Sequence, residues 1–139
     1  MSKLEGGCLC GSVRYTSNAE PAMTVVCHCK DCQKQTGTAY SILVAVPEES
    51  FTVTGDSLKI FRNVGGSGQP VQHHFCNKCG SPIVSKISVM PGKVFIKAGT
   101  LDDTSWLRPQ MNIWCSSRQP WVTIEENLPK AEKNPELST

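Results

Sequence analysis

Short stretches in which apolar and polar residues alternate recur along the chain, and they predict a protein built mainly of β-strands. Val13 and Tyr15 alternate with polar neighbours, and Phe51 and Val53 repeat this spacing. Successive side chains of a strand point to opposite faces of a sheet, so a period of two indicates strands with one buried face. Further predicted strands are 71–75, 83–89, 94–98, 111–115 and 121–124.

The segment 41–46 differs because it is almost continuously apolar, which is typical of a strand buried on both faces. Turn residues separate the strands, as at Gly55 with Asp56 and at Pro91 with Gly92. Many short strands joined by turns predict a mainly β fold, in which short antiparallel strands of a single domain fold into sheets.

One segment predicts a short helical turn instead. Asp31 is a suitable N-cap and Gly37 a suitable C-terminal stop, which leaves residues 32–36 between them. Cys32 then lies in the first turn, where the positive end of the helix favours the thiolate form of its side chain.

The chain has 139 residues, which suits one domain. We expect residues 1–128 to form this domain and the polar residues 129–139 to be a loosely ordered C-terminal tail. A net charge of +2 argues against a nucleic-acid surface, and no apolar run approaches the length of a membrane helix. The N-terminus shows no secretory signal, so we expect a cytoplasmic protein whose eight cysteines are thiols or metal ligands rather than disulfides.

Four cysteines occur as two pairs that predict a structural zinc site. Cys8 and Cys10 form a CxC, Cys76 and Cys79 form a CxxC, and glycine follows each pair. Structural zinc takes four ligands in a tetrahedron, commonly two from each of two such turns. Zinc here would tie the N-terminus to the middle of the chain. Reduced buried thiols and a four-sulfur iron site are the alternatives.

Cys27, Cys29 and Cys32 form a CxCxxC triplet. Three protein ligands with an open fourth position are typical of a catalytic zinc. We predict that this second zinc is catalytic and more labile than the first, and that a substrate thiol becomes its fourth ligand. The alternative is a second structural zinc closed by one of four other residues: His28, His73, His74 or Cys115.

The remaining candidates have simpler expected roles. Cys115 alternates with apolar neighbours, and we expect it to be a packed thiol. Four basic residues are expected to be solvated: Arg14, Arg62, Lys97 and Arg108.

The order and spacing of these motifs resemble a known family, the glutathione-dependent formaldehyde-activating enzymes, or Gfa family. Centromere-protein-V-like proteins share the same domain. The matching segments are, in chain order, GGCLCGSVRY, CHCKDCQKQTGTAY, FCNKCGSPI, AGTLDD and RPQMNIWCSSRQPW. The resemblance covers about residues 6–129.

The resemblance implies a β-sheet domain with two zinc sites that divide the cysteines as above. It also implies a carbon–sulfur lyase or synthase that joins a small thiol such as glutathione to a small aldehyde such as formaldehyde. The chain departs from the family at Asn112, where relatives often carry His. Because Asn112 cannot titrate, we expect weaker or altered activity toward formaldehyde and glutathione.

Two other functions remain open at this point. One is a non-catalytic binding domain scaffolded by zinc, and the other is a zinc or redox buffer that loads and releases metal at the triplet. The open fourth position of the triplet favours the enzyme. The sequence names no proton donor for the reaction and no oligomeric state.

Overall fold

The computed structural model describes residues 3–135. Within this range the chain forms ten strands and one α-helix, with 3-10 turns at Glu48–Ser50, Ala98–Thr100 and Cys115–Ser117. The elements are β1 (Leu4–Gly7), β2 (Arg14–Ser17), β3 (Met23–Cys27), α1 (Lys30–Thr36), β4 (Ser41–Pro47), β5 (Phe51–Thr54), β6 (Leu58–Val64), β7 (Pro70–Cys76), β8 (Pro82–Ile87), β9 (Lys93–Lys97) and β10 (Met111–Ile113).

The strands form two sheets, which confirms the predicted mainly β fold. The smaller sheet has the order β1-β2-β5, and the larger has the order β10-β3-β4-β9-β8-β7-β6. Neighbouring strands pair antiparallel except β10, which pairs parallel with β3. This parallel edge pair is a feature that the sequence did not predict.

Strand β4 lies inside the larger sheet and is buried on both faces, as its continuous apolar run predicted. Val44 and Val46 belong to a core that also contains Leu4 and Tyr15 of the smaller sheet. Leu43 and Ala45, on the opposite face, belong to a second core. The smaller sheet therefore covers one face of the larger sheet, and the second face is available for the site described below.

The predicted strand at 121–124 is wrong, because these residues form no strand and Trp121 is 71% exposed. The segment beside β10 comes from further along the chain. The amide of Asn112 donates to the carbonyl of Pro129 at 3.0 Å, and the amide of Ala131 donates to the carbonyl of Asn112 at 2.9 Å. Strand β10 itself ends at Ile113, since Trp114 has a φ of 56°. Cys115 consequently starts a 3-10 turn rather than continuing the predicted alternation.

The expected domain division at residue 129 stays a prediction. Four carbonyl oxygens, at residues 129, 131, 132 and 133, accept hydrogen bonds from the amides of residues 112, 114, 115 and 116. Residues 136–139 of the proposed tail lie outside the described residues. No helix within residues 3–135 is long and apolar enough to cross a membrane.

Helix α1 ends as predicted but begins earlier. Gly37 terminates it with a φ of 71°, and its amide donates to the carbonyl of Gln33. The N-cap is Cys29 rather than Asp31, because the Cys29 Sγ accepts the backbone N–H of Cys32 at 3.3 Å. Helix α1 is therefore capped by a cysteine of the triplet and not by the Asp31 carboxylate that the sequence predicted.

Candidate metal centres

The structure brings the four paired cysteines together. The Sγ atoms of Cys8, Cys10, Cys76 and Cys79 lie within 4.8 Å of one another. Cys8 and Cys10 lie in the connection between β1 and β2 of the smaller sheet, whereas Cys76 ends β7 of the larger sheet. A metal ion bound to all four would hold the two sheets together.

Glycine makes both cysteine turns possible. Gly11 follows the first pair with a φ of 82°, and Gly80 follows the second with a φ of 80°. This left-handed conformation is strained for any residue with a Cβ. The first turn also directs a backbone N–H at sulfur, since the amide of Val13 donates to the Cys8 Sγ at 3.3 Å.

Serine hydroxyls surround these sulfurs. The Ser12 Oγ lies 3.1 Å from the Cys10 Sγ, and the Ser57 Oγ lies 3.3 Å from the Cys76 Sγ. Hydrogen bonds from Ser12 and Ser57 lower the pKa of Cys76 to about 5. Sequence reasoning missed both serines. Ser12 directly follows the CxCG motif, but nothing in the sequence links Ser57 to Cys76.

The triplet forms a second group, whose three Sγ atoms also lie within 4.8 Å of one another. Cys27 ends β3, Cys29 caps α1 and Cys32 lies in its first turn. Hydrogen bonds from Cys27 and Cys32 lower the pKa of Cys29, whereas hydrogen bonding to Cys29 raises the pKa of Cys27. Without a cation the three sulfurs share a negative charge, because like charges this close cannot all ionise. Soft thiolates in this arrangement fit zinc.

The structure does not bring any of the four suggested closing residues into the triplet. Within residues 3–135, no His, Cys, Asp or Glu joins the three sulfurs within 4.8 Å. His28 is fully buried, with its Nε2 2.8 Å from the Asn112 Oδ1. His74 has its Nε2 3.0 Å from the Gln72 Oε1. The triplet is therefore a three-sulfur group rather than a closed four-ligand group.

A cavity of about 290 Å³ lies against the triplet, on the second face of the larger sheet. His73 lines this cavity, and a chain of hydrogen bonds holds its ring. The Asn63 Nδ2 donates to the Asp31 Oδ2 at 3.1 Å, and the Asn63 Oδ1 lies 3.0 Å from the His73 Nε2. The His73 Nδ1 is buried and has no hydrogen-bond partner among the described residues.

This chain of hydrogen bonds fixes the tautomer of His73. A carboxylate only accepts, so Asp31 requires the amide nitrogen of Asn63 and turns the amide oxygen toward His73. That oxygen also only accepts, so the Nε2 of His73 must carry the proton. Burial, followed by the charge of Lys97, lowers the pKa of His73 and favours the neutral ring. The Nδ1 is then an unprotonated acceptor.

Lys97 is buried beside the triplet, and the expectation that it is solvated is wrong. It is 5% exposed, and its Nζ donates to the Ser41 Oγ at 3.1 Å. Sheet register explains its position, because Ser41 pairs with Cys27 and Leu43 pairs with Lys97. Burial lowers the pKa of Lys97, but the three cysteines act in the opposite direction. Three thiolates with Zn²⁺ carry a net charge of −1, which a protonated Lys97 would neutralise.

A family model described as glutathione-dependent formaldehyde-activating enzyme matches residues 3–117. The chain belongs to this family. The match includes both cysteine groups and the cavity wall that carries His73.

The curated relatives of this Gfa chain include fungal proteins. A Penicillium rubens protein is 28% identical over 83% of this chain and 61% of its own length. A Podospora anserina protein is 30% identical over 79% of this chain and 53% of its own length. Both are named as glutathione-dependent formaldehyde-activating enzymes, a name that is itself provisional. The Gfa chain thus spans only about half to three-fifths of the length of these relatives.

One solved structure shares the fold of the Gfa chain. A crystal structure of a Rhodobacter sphaeroides protein superposes with a TM-score of 0.57 at 20% identity. The superposed region covers 76% of this chain and 91% of the Rhodobacter sphaeroides chain. At this identity the likeness supports the fold alone.

We expect the purified Gfa chain to contain about two zinc ions, held unequally. Four-sulfur metal binding is coupled to folding, so chelator should remove zinc from the triplet first. The measurement is elemental analysis during titration with a chelator. Cys29→Ser should lose one zinc ion, and Cys115→Ser, which changes a thiol outside both groups, should lose none. A single iron, or a folded reduced protein without metal, would contradict this prediction.

Proposed function

We propose that this protein is a zinc-dependent carbon–sulfur lyase or synthase that acts on the hemithioacetal of a small thiol and a small aldehyde. Glutathione and formaldehyde, which the relatives' names contain, define the reaction type. The observation that carries the proposal is the three-sulfur group in the wall of the cavity. Three cysteine ligands and adjacent space for a small molecule are what a catalytic zinc requires.

Each cysteine group has a separate proposed role. The group of four would hold a structural zinc between the two sheets, and the triplet would hold the catalytic zinc. When bound at the triplet, zinc supplies positive charge that favours the thiolate form of a substrate thiol at neutral pH. The cavity holds the aldehyde carbon next to the sulfur, so positioning contributes to the rate.

His73 is the proposed carrier of the proton. Its free Nδ1 takes the proton of the substrate thiol, and the thiolate sulfur then attacks the carbonyl carbon. The carbon–sulfur bond forms, the π electrons of the carbonyl move onto oxygen, and the Nδ1 returns the same proton to the resulting alkoxide. In the reverse direction the hydroxyl proton moves to the Nδ1 and the carbon–sulfur bond breaks. Asn63 and Asp31 keep the ring oriented for both transfers.

The reducing cytoplasm suits this proposal. All eight cysteines are free thiols in the structure. Metal binding by thiolates is favoured where glutathione keeps cysteines reduced. We therefore retain the cytoplasm as the proposed location, with no nucleic acid and no membrane among the proposed partners.

Cobalt substitution tests the proposed function. Cobalt bound by thiolates absorbs light, and the absorption changes when another sulfur binds. We expect a spectral change when glutathione, cysteine or another small thiol is titrated, and the change should disappear in Cys29→Ser. No change with any thiol, together with no loss of formaldehyde above the uncatalysed rate, would contradict the enzyme and favour a zinc-scaffolded binding domain.

A further inference from the structure

The cavity beside the triplet is lined mainly by apolar side chains. Its wall includes Met23, Leu43, Ile87, Met90, Phe95 and Trp114. Phe95 and Leu43 also belong to the buried core on this face of the larger sheet, so the apolar wall is a fixed part of the fold. Cavities lined in this way favour apolar ligands over water.

This wall does not suit glutathione as the occupant of the cavity. At neutral pH glutathione carries two carboxylates and one ammonium group. No Lys or Arg occurs among the described residues that line the cavity, although such side chains normally bind carboxylates. Asp31, which does line it, would repel them. Burying unpaired carboxylates against apolar side chains is strongly unfavourable.

Formaldehyde leaves most of the cavity unfilled. The hydroxymethyl group that formaldehyde forms in the adduct has two non-hydrogen atoms. Its volume is comparable to that of one or two water molecules, about 30 Å³ each. The cavity measures about 290 Å³. An apolar cavity of about 150 Å³ already accommodates benzene. The available space therefore matches an aromatic ring or a branched alkyl group attached to the reacting atoms.

We propose that the natural substrate is a thiol adduct with an apolar group of about six to nine carbons that fills this cavity. The inference rests on the proposed function, because it places the adduct's sulfur at the triplet. The apolar group belongs either to the thiol or to the aldehyde, and both place the same chemistry in the cavity. The polar atoms of the adduct then face the triplet and His73, where hydrogen-bonding groups are present.

Methionine methyl groups provide a direct readout of binding. The chain has four methionines, of which Met23 and Met90 line the cavity and Met111 does not. In zinc-loaded protein labelled with ¹³C-methyl methionine, benzyl mercaptan should shift the NMR signals of Met23 and Met90 and leave that of Met111 in place. Phenylacetaldehyde mixed with 2-mercaptoethanol tests the alternative in which the apolar group belongs to the aldehyde.

Affinity should follow the apolar surface of the probe. In the series ethanethiol, propanethiol and butanethiol we expect about fourfold tighter binding for each added methylene. Glutathione should bind at least 100-fold more weakly than benzyl mercaptan. Affinity that does not rise along the series, or glutathione binding as tightly as benzyl mercaptan, would overturn the inference.

Two valines on one hairpin make a matched pair of variants. Val71 on β7 lines the cavity, and Val64 on β6 is 63% exposed and does not. Val71→Asp should weaken benzyl mercaptan binding more than tenfold, and Val64→Asp should not change it. Met90→Glu, in a turn, provides a second variant if Val71→Asp misfolds, with Met23 as the remaining signal. Equal binding by Met90→Glu and the parent protein would also overturn the inference.

These outcomes separate the two proposals. If glutathione changes the cobalt spectrum but apolar thiols leave Met23 and Met90 unshifted, the apolar substrate is wrong and the enzyme proposal stands. If no thiol changes the spectrum, the proposed function itself fails.

Discussion

Cys76→Ser is expected to lower the melting temperature by more than about 10 °C or to leave the protein insoluble, whereas Cys29→Ser is expected to leave the fold intact. Cys76 is completely buried at the end of β7, in the group of four that lies between the two sheets. Structural zinc sites contribute about 10–16 kcal/mol of apparent binding free energy in small zinc domains. With the proposed zinc bound at the group of four, losing one sulfur removes a large part of the free energy that holds the sheets together.

Cys29 lies in a different setting. It is half-buried beside the cavity, and its main structural contact is the cap of the seven-residue helix α1. The serine hydroxyl of Cys29→Ser is itself a good N-cap, so the helix should persist. Thermal unfolding and zinc content of both variants make the comparison. If Cys29→Ser unfolds the protein as severely as Cys76→Ser, the triplet is structural and the enzyme proposal loses its main support.

His73→Gln is expected to lower kcat for hemithioacetal formation and cleavage about 100-fold, the lower end of what a positioned proton-transfer group contributes. The imidazole Nδ1 is the proposed carrier of the proton, and glutamine has no group that titrates near neutral pH. Zinc content and melting temperature should stay close to those of the parent protein. His74→Gln is the matched control, since the neighbouring His74 does not line the cavity.

The pH profile separates proton transfer from a structural role for His73. The charged groups that act on the ring are Lys97, Asp31 and Cys29, and burial together with Lys97 lowers its pKa below 6.5. Since the proposed mechanism uses the unprotonated Nδ1, kcat/KM should rise with pH, with a midpoint below pH 6.5. The decrease in kcat/KM at acidic pH should be absent in His73→Gln. Equal activity of His73→Gln and the parent protein would contradict the role.

Local spacing predicted much of the fold. Alternating apolar positions identified β2, β5, β7, β8 and β9, and the continuous run identified β4. Strands β1, β3 and β6 escaped this reasoning. Strand β1 contains Gly6 and Gly7, β3 is buried at four of its five positions and shows no alternation, and β6 is mostly exposed. The strand predicted at 121–124 failed because an apolar run does not by itself supply a pairing partner. In the structure, residues 129–131 occupy the position beside β10.

The sequence by itself determined the triplet and the two cysteine pairs, because ligands one to three residues apart must lie close together in any compact turn. Only the fold joins the two distant pairs into the group of four. Only the tertiary structure decided what surrounds the two cysteine groups. His73, Asn63 and Asp31 come from three separate elements, and Lys97 reaches the triplet because β9 pairs with β4. The apolar cavity likewise forms only in the folded chain, because residues as far apart in the sequence as Met23 and Ile113 line it. Register between distant strands is a property of the folded chain, since it depends on which faces bury together rather than on any local pattern.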